Sequence, residues 1–268
     1  MPRILVALVL LVMAHAASAA EAPAAAERNA LIERVLTLAG ATTQLAQVPA
    51  QVSAQLQLRQ GEFSSEAFGR IIARLTEAFR EEALHASLAQ AFARVYDRRR
   101  LEPIAAWLAS PLVQRLTALE EAAMQPDAAA AQEAFFSRPG AAPPSEARVA
   151  LLQRLMRATY ATEMTLRVIR TTMAGIATAV NAALDRPAPS PAELAEAESD
   201  LESARSQIED RILARLLFTY RDVTDDDLSA YITFWESDTG QWFNRVSSDG
   251  YLEAIQEGVT RMAAGTPR

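Results

Sequence analysis

The 268-residue chain contains no cysteine. It therefore forms no disulfide, even in a compartment that permits one, and its fold holds by packing alone. There is also no lysine: all 26 basic residues are arginine, which excludes Schiff-base and lysine-nucleophile chemistry. Of two histidines, His15 lies in the N-terminal apolar segment, so the remainder of the chain carries only His85. One histidine and no cysteine leave almost nothing from which to build a classical metal site or a His-assisted nucleophile. The sequence calls for no cofactor.

A basic surface is missing too. The formal charge is −7, and removal of Arg3 with a leader makes the rest more acidic still. Nucleic-acid binding needs a basic footprint and is excluded as an expected activity. Sustained strand alternation is absent, so no β-sheet is expected. Beyond the N-terminus no apolar run is long enough to span a bilayer. The uncharged stretch Thr171 to Leu184 has fourteen residues and reads as a buried helix, or as a membrane-surface helix preceded by arginines.

What is present begins with an export signal. Arg3, the apolar run Ile4 to Met13, and Ala17-Ser18-Ala19 form the charged, apolar and small-x-small parts of a signal peptide over residues 1–20. Cleavage near Ala19 predicts a periplasmic or secreted protein. No cysteine follows to carry a lipid anchor.

Helical periodicity fills the rest. The expected fold is an all-α helical bundle made by tandem duplication of a multi-helix unit. Helices are predicted from Ala24 to Leu38, ending at Gly40, and from Thr42 to Gln60, kinked at Pro49. A third begins at Ser64 or Ser65, and a fourth ends near Arg98-Arg99-Arg100. Pro103 is placed in the first turn of a short helix through Leu108. Ser110-Pro111 then starts a helix to Met124. Residues 137–145 (SRPGAAPPS) form a linker between a first repeat, 24–136, and a second, 146–264. The second repeat is expected to start with a helix from Glu146 to Tyr160 that continues in some form to Leu184. Ser190-Pro191-Ala192-Glu193 is a capping box for a helix to Tyr220, and Thr224 with Asp227 is read as another. Two last helices, about Asp238–Val246 and Ser248–Met262, close the chain.

The repeat rests on aligned residues. Leu31 to Leu36 aligns with Leu151 to Met156. Leu84, Leu88, Phe92 and Tyr96 align with Ile208, Ile212, Leu216 and Tyr220. After a three-residue insertion, Leu101, Ile104, Trp107, Leu108, Ser110 and Gln114 align with Leu228, Tyr231, Phe234, Trp235, Ser237 and Gln241. Two such units are able to pack about a pseudo-twofold axis, by analogy with symmetric dimers.

Tyr220 to Gln241 (YRDVTDDDLSAYITFWESDTGQ) resembles the bacterial exported domain-of-unknown-function 2059 family. Thr224, Asp226, Asp227, Leu228, Phe234, Trp235, Ser237, Gly240 and Gln241 carry the resemblance, with Asp238 where the family has proline. Ser110, Pro111 and Gln114 keep the complementary part, with Val113 in place of glycine. The resemblance implies an exported helical domain and transfers no catalytic residue.

Four features bear on chemistry. His85 follows Glu81 and Glu82 at helical spacing, as a general base or as a solvated histidine. Asp225 to Asp227 suit a helix N-terminus better than a cation site, lacking the spacing of a calcium loop. Carboxylate pairs are numerous but none is singled out. Tyr231, Phe234, Trp235, Trp242 and Phe243 form a core corner or an interaction surface. The candidate interaction or motif residues are thus Tyr96, Trp107, Ser110, Gln114, Tyr220, Phe234, Trp235, Ser237, Gly240, Gln241 and Trp242. The expected function is binding of an envelope protein or an apolar small ligand, with a carboxylate-dependent hydrolase as the alternative. Oligomeric state is left open.

Overall fold

A computed structural model describes residues 24–57, 60–125, 128–138, 143–183 and 186–264. The signal-peptide reading and residues 139–142 of the expected linker lie outside them. Among the described residues there is no strand, and the fold is an all-α, multi-helix one. The helices are α1 (24–38), α2 (Ala41–Gln57), α3 (Ser65–Ala78), α4 (Glu81–Arg94), α5 (Arg98–Leu108), α6 (Pro111–Ala123) and α7 (Ala128–Phe136). They are followed by α8 (Glu146–Ala158), α9 (Ala161–Ala183), α10 (Pro191–Ser203), α11 (Arg205–Thr219), α12 (Asp225–Glu236) and α13 (Asp238–Ala264).

The caps explain most starts. Ser64, Asp97, Ser110, Ser145, Ser190 and Thr224 each precede a helix, and each side-chain oxygen accepts a backbone N–H of the first turn. An uncapped first turn leaves such donors unsatisfied. At Ser190 the capping box is complete: Glu193 Oε2 accepts from Ser190 N at 2.7 Å. At Thr224 only half of the expected box forms. Thr224 Oγ1 accepts from Asp227 N at 3.2 Å, while the Asp227 carboxylate turns away to Arg115 at 2.6 Å.

Several expected boundaries move. Asp97 caps α5, so Arg98–Arg100 open a helix instead of closing one, and Pro103 falls inside α5 instead of in its first turn. The helix expected from Pro191 to Tyr220 breaks at Ala204 into α10 and α11. Leu194 on α10 is exposed. The expected final pair of helices is one 27-residue helix, α13, about 40 Å long at 1.5 Å per residue. Helix α7 is an element the sequence reading did not include.

Helix α13 is the spine of the molecule. It lies along α4 and α9 and also touches α3, α5 and α12. Close approach depends on glycine. A Cβ on Gly250 would sit 2.8 Å from both Ala91 Cβ and Leu88 Cδ1, and one on Gly258 would sit 2.7 Å from Phe79 Cε1. Polar ties add register: Arg261 Nε donates to Ala78 O at 2.9 Å, and the buried Ser87 hydroxyl donates to Glu257. The buried side chains form one continuous core drawn from both ends of the chain, including Leu36, Phe92, Leu101, Ile104, Leu228, Ile232 and Ile255. Truncating such a residue to alanine costs about 2–5 kcal/mol.

Candidate functional site

Helices α5 and α12 meet through their aromatic residues. Trp107 stacks on Phe234, with ring centroids 3.5 Å apart and planes 11° from parallel. Trp235 stands edge-on to Trp107 at 5.6 Å and to Tyr231 at 5.9 Å, and stacks on Phe243 at 5.9 Å. The expected cluster is therefore a junction turned inward, with Tyr231 and Phe243 buried and Phe234, Trp235 and Trp107 half-buried. Half-buried Trp242 lies apart from this stack, under the guanidinium of Arg100, 5.3 Å above its ring.

The other motif residues brace helix ends. Gln114 Nε2 donates to Leu108 O at 2.7 Å and to Leu38 O at 3.1 Å. Gln241 Nε2 donates to Trp235 O at 2.6 Å and to Ala158 O at 2.7 Å. Each glutamine thus closes two helix C-terminal ends, whose last carbonyls have no partner within their own helix. Ser110 caps α6, and Ser237 Oγ accepts from Gly240 N at 3.1 Å. Gly240 is obligatory there, since a Cβ would fall 2.0 Å from Phe234 O.

Beside the aromatic junction lies a cavity of about 480 Å³. Its wall is mostly apolar, with Leu36, Leu88, Phe92, Leu155, Ile212 and Leu216 among the lining residues. Polar side chains reach it as well, among them Gln44, Thr165, Asn244 and Tyr251. The chief one is Glu120 on α6. Its Oε1 accepts hydrogen bonds from the Tyr220 hydroxyl and, at 3.0 Å, from the Tyr231 hydroxyl. Burial holds this carboxyl above the usual carboxylate range, outweighing the two tyrosine hydroxyls, which act in the opposite direction. Burial also raises both phenols well above their usual value, and the charge of Glu120 adds to this. Arg215 lines the same cavity from an exposed position, and so marks where it opens to solvent.

Tyr220 and Trp235 thus belong to the cavity, together with Tyr231. Trp107, Phe234, Gln114 and Gln241 support it from behind. Tyr96, aligned with Tyr220 in sequence, stays half-buried and does not line it. Glu120 was missed in the sequence. A signal existed: it follows Val113 and Leu116 at seven and four residues on the buried face of α6, where a carboxylate is out of place.

The remaining expected features are ordinary. His85 Nε2 meets Glu33 Oε2 on α1 at 3.2 Å, instead of Glu81 or Glu82 on its own helix. Asp225 pairs with Arg148 at 2.6 Å, and Asp227 with Arg115. Among the described residues no group of three or more His, Cys, Asp or Glu converges as a metal site. No described helix is long and apolar enough to cross a membrane.

Fold and site together define a class: a helical protein with a largely apolar cavity and one half-buried acid on its wall. Comparison adds a partial family relationship. Residues 82–135, from α4 through most of α7, match the family described as "Uncharacterized protein conserved in bacteria (DUF2059)". This supports the resemblance read from Tyr220–Gln241, although the match falls on the other half of the chain. It includes Trp107, Ser110, Gln114 and Glu120. No curated protein and no solved structure matches the chain.

Proposed function

We propose that the chain is an exported binding module, built from two copies of one helical unit, that holds an apolar ligand in the cavity beside the aromatic junction. The cavity carries this reading. Its size and its largely apolar wall with polar groups set into it are those of a small-molecule site. Export rests on the N-terminal signal pattern.

Duplication is supported by matched geometry. The order of α1–α6 is repeated by α8–α13. The first and eighth helices are each followed by a residue in left-handed backbone, Gly40 at φ 65° and Tyr160 at φ 52°. Gln114 and Gln241 brace equivalent helix ends. Contacts between the halves are reciprocal: Arg115 pairs with Asp227, and the residues aligned with these two, Trp242 and Arg100, also pair. Helix α13 packs on α4 and α6 packs on α11, again as equivalents. Many residues facing the cavity are aligned pairs, such as Leu88 with Ile212 and Leu108 with Trp235.

An interaction surface for an envelope protein draws less support, because the aromatic residues that suggested it face inward. The hydrolase alternative draws none. Among the described residues Glu120 is the sole acid on the cavity wall, whereas glycosidase-type hydrolysis needs two.

The test uses the mature protein and the fluorescent apolar probe N-phenyl-1-naphthylamine. Saturable binding near one probe per chain is expected. Ala161→Trp, which fills the cavity from α9, is expected to weaken it at least about tenfold while far-UV circular dichroism stays unchanged. Absence of saturable binding by the wild type would overturn the reading.

A further inference from the structure

One face of α13 is polar where it meets the cavity. Asn244, Ser247, Ser248 and Tyr251 all line it, and their i, i+3, i+4, i+7 spacing sets them in one stripe on the helix. The charged residues between them, Arg245 and Asp249, are exposed, and Asp249 pairs with Arg167 at 3.4 Å. A helix face turned toward a largely apolar interior is where hydrocarbon side chains are expected. Most of the hydrogen-bonding capacity of the stripe is unspent. Asn244 is 9% exposed, and among the described residues its side chain is bonded only by the Ser248 hydroxyl, which donates to Oδ1 at 3.5 Å, a long hydrogen bond. Its amide N–H groups and the Ser247 and Tyr251 hydroxyls have no partner among the described residues. Burial alone pushes the Tyr251 hydroxyl up to about 12. By contrast, the Thr159, Thr165 and Thr219 hydroxyls on the same wall each donate to a carbonyl one turn earlier. Gln44 on α2 and Thr117 on α6 add single polar groups.

We infer that the cavity ligand is a facial amphiphile, a hydrocarbon skeleton with uncharged oxygen groups spread along one edge, which lies lengthwise on α13 and hydrogen-bonds Asn244 toward one end and Tyr251 toward the other. This assignment rests on the apolar-cavity reading above. Seven residues of helix rise about 10 Å, so the stripe is longer than one head group. A head-and-tail amphiphile gathers its oxygens at one end. It would lay hydrocarbon against the rest of the stripe, where unmade hydrogen bonds are costly. Asparagine, serine and tyrosine side chains both donate and accept, which suits hydroxyl and carbonyl groups alike. None of the four carries a charge, so an ionic group set against them would lose its hydration without a counter-charge. Leu88 and Phe92 on α4 and Ile212 and Leu216 on α11 supply apolar wall for the skeleton.

The experiment compares three probes on the mature protein, each displacing N-phenyl-1-naphthylamine. Androstanediol carries a hydroxyl at each end of a rigid ring skeleton, androstan-3-ol keeps one of them, and 1,2-dodecanediol has both oxygens at one end of a flexible chain. For the wild type, androstanediol is expected to bind at least about tenfold tighter than either of the others. Tyr251→Phe and Asn244→Leu remove one polar end each with little change of shape. Each is expected to weaken androstanediol at least about fivefold, and no more than one of them to weaken androstan-3-ol. Both variants are expected to keep the wild-type affinity for the naphthylamine. Equal binding of the two steroids by the wild type, or an androstanediol affinity that neither substitution changes, overturns the assignment and leaves the cavity reading standing. Dodecanediol binding as tightly as androstanediol overturns it in favour of a head-and-tail ligand. Failure of every probe, the naphthylamine included, overturns both.

Discussion

Trp107 and Phe234 lie face to face at 3.5 Å, and they are also the residues that the internal alignment of the chain sets opposite each other. In a symmetric dimer a residue meets its own copy only at the twofold axis. On the duplication proposed above, their stack marks where the pseudo-twofold axis would pass between α5 and α12. A fully overlapped sandwich is not the arrangement isolated rings prefer. Packing of the two helices around the stack holds it. Truncation of either residue to alanine is expected to cost about 3 kcal/mol, with a coupling of about 0.5–1.5 kcal/mol between them. A double-mutant cycle by urea denaturation measures both. Additive losses would mean the rings are merely adjacent.

The two bracing glutamines give a sharper comparison. Gln114→Ala and Gln241→Ala each remove two donors from helix-end carbonyls and are each expected to cost about 1–3 kcal/mol. Replacement by glutamate is expected to be worse at both positions. A carboxylate cannot donate, and it would face the negative end of a helix dipole. Chemical denaturation of the four variants decides; a glutamate variant as stable as the wild type would refute the assigned role.

The turns after α1 and α8 use the same left-handed backbone with different residues. At Gly40 a Cβ is strained by φ and would also lie 2.7 Å from Glu121 Oε1. Gly40→Ala is expected to lose about 1–2 kcal/mol. Tyr160 already bears that strain while being 49% exposed, so Tyr160→Gly is expected to be neutral or to gain up to about 1 kcal/mol. Thermal melts of the two variants should move in opposite directions or leave Tyr160→Gly unmoved.

Glu120 makes stability depend on pH in an unusual direction. Its folded-state carboxyl is raised above the ordinary value of 4.5, so the folded protein binds its proton more tightly than the unfolded chain does. The contribution is full below about pH 4.5 and is lost as pH rises through the raised folded value. Burial raises that value and outweighs the hydrogen bonds from Tyr220 and Tyr231, which lower it; neighbouring Glu121 raises it and Arg215 on α11 lowers it by smaller amounts. The difference in unfolding free energy between wild type and Glu120→Gln should therefore fall as pH climbs from 4 to 8, because the other carboxylates cancel. A flat difference would show that Glu120 titrates normally.

Some of this architecture was open to reading from local chemistry. Capping residues such as Ser110, Ser190 and Thr224 satisfy the first N–H groups of the helix they precede, and such chemistry is complete within four residues. The all-α class followed from periodicity, and the alignment of Gln114 with Gln241 was visible as text. Other elements were not local. The break at Ala204 has no proline or glycine to announce it. The unbroken course of α13 past Gly250 and Gly258 became favourable only because α4 and α3 fill the space those glycines leave.

The linear order of residues, by itself, determined which segments are helical, where most begin, and that no thiol, amine or histidine cluster is at hand for catalysis. Each of those properties depends on covalent neighbours or on composition. Only the tertiary structure decided that Glu120 from α6, Tyr220 from the end of α11 and Tyr231 from α12 share one cavity. Glu120 is 100 residues from Tyr220 and 111 from Tyr231 in sequence. Helical periodicity reports which face of a helix is apolar but not which helix covers it. The partner of a face is chosen by side-chain volume and close approach, quantities that exist only once the helices are packed.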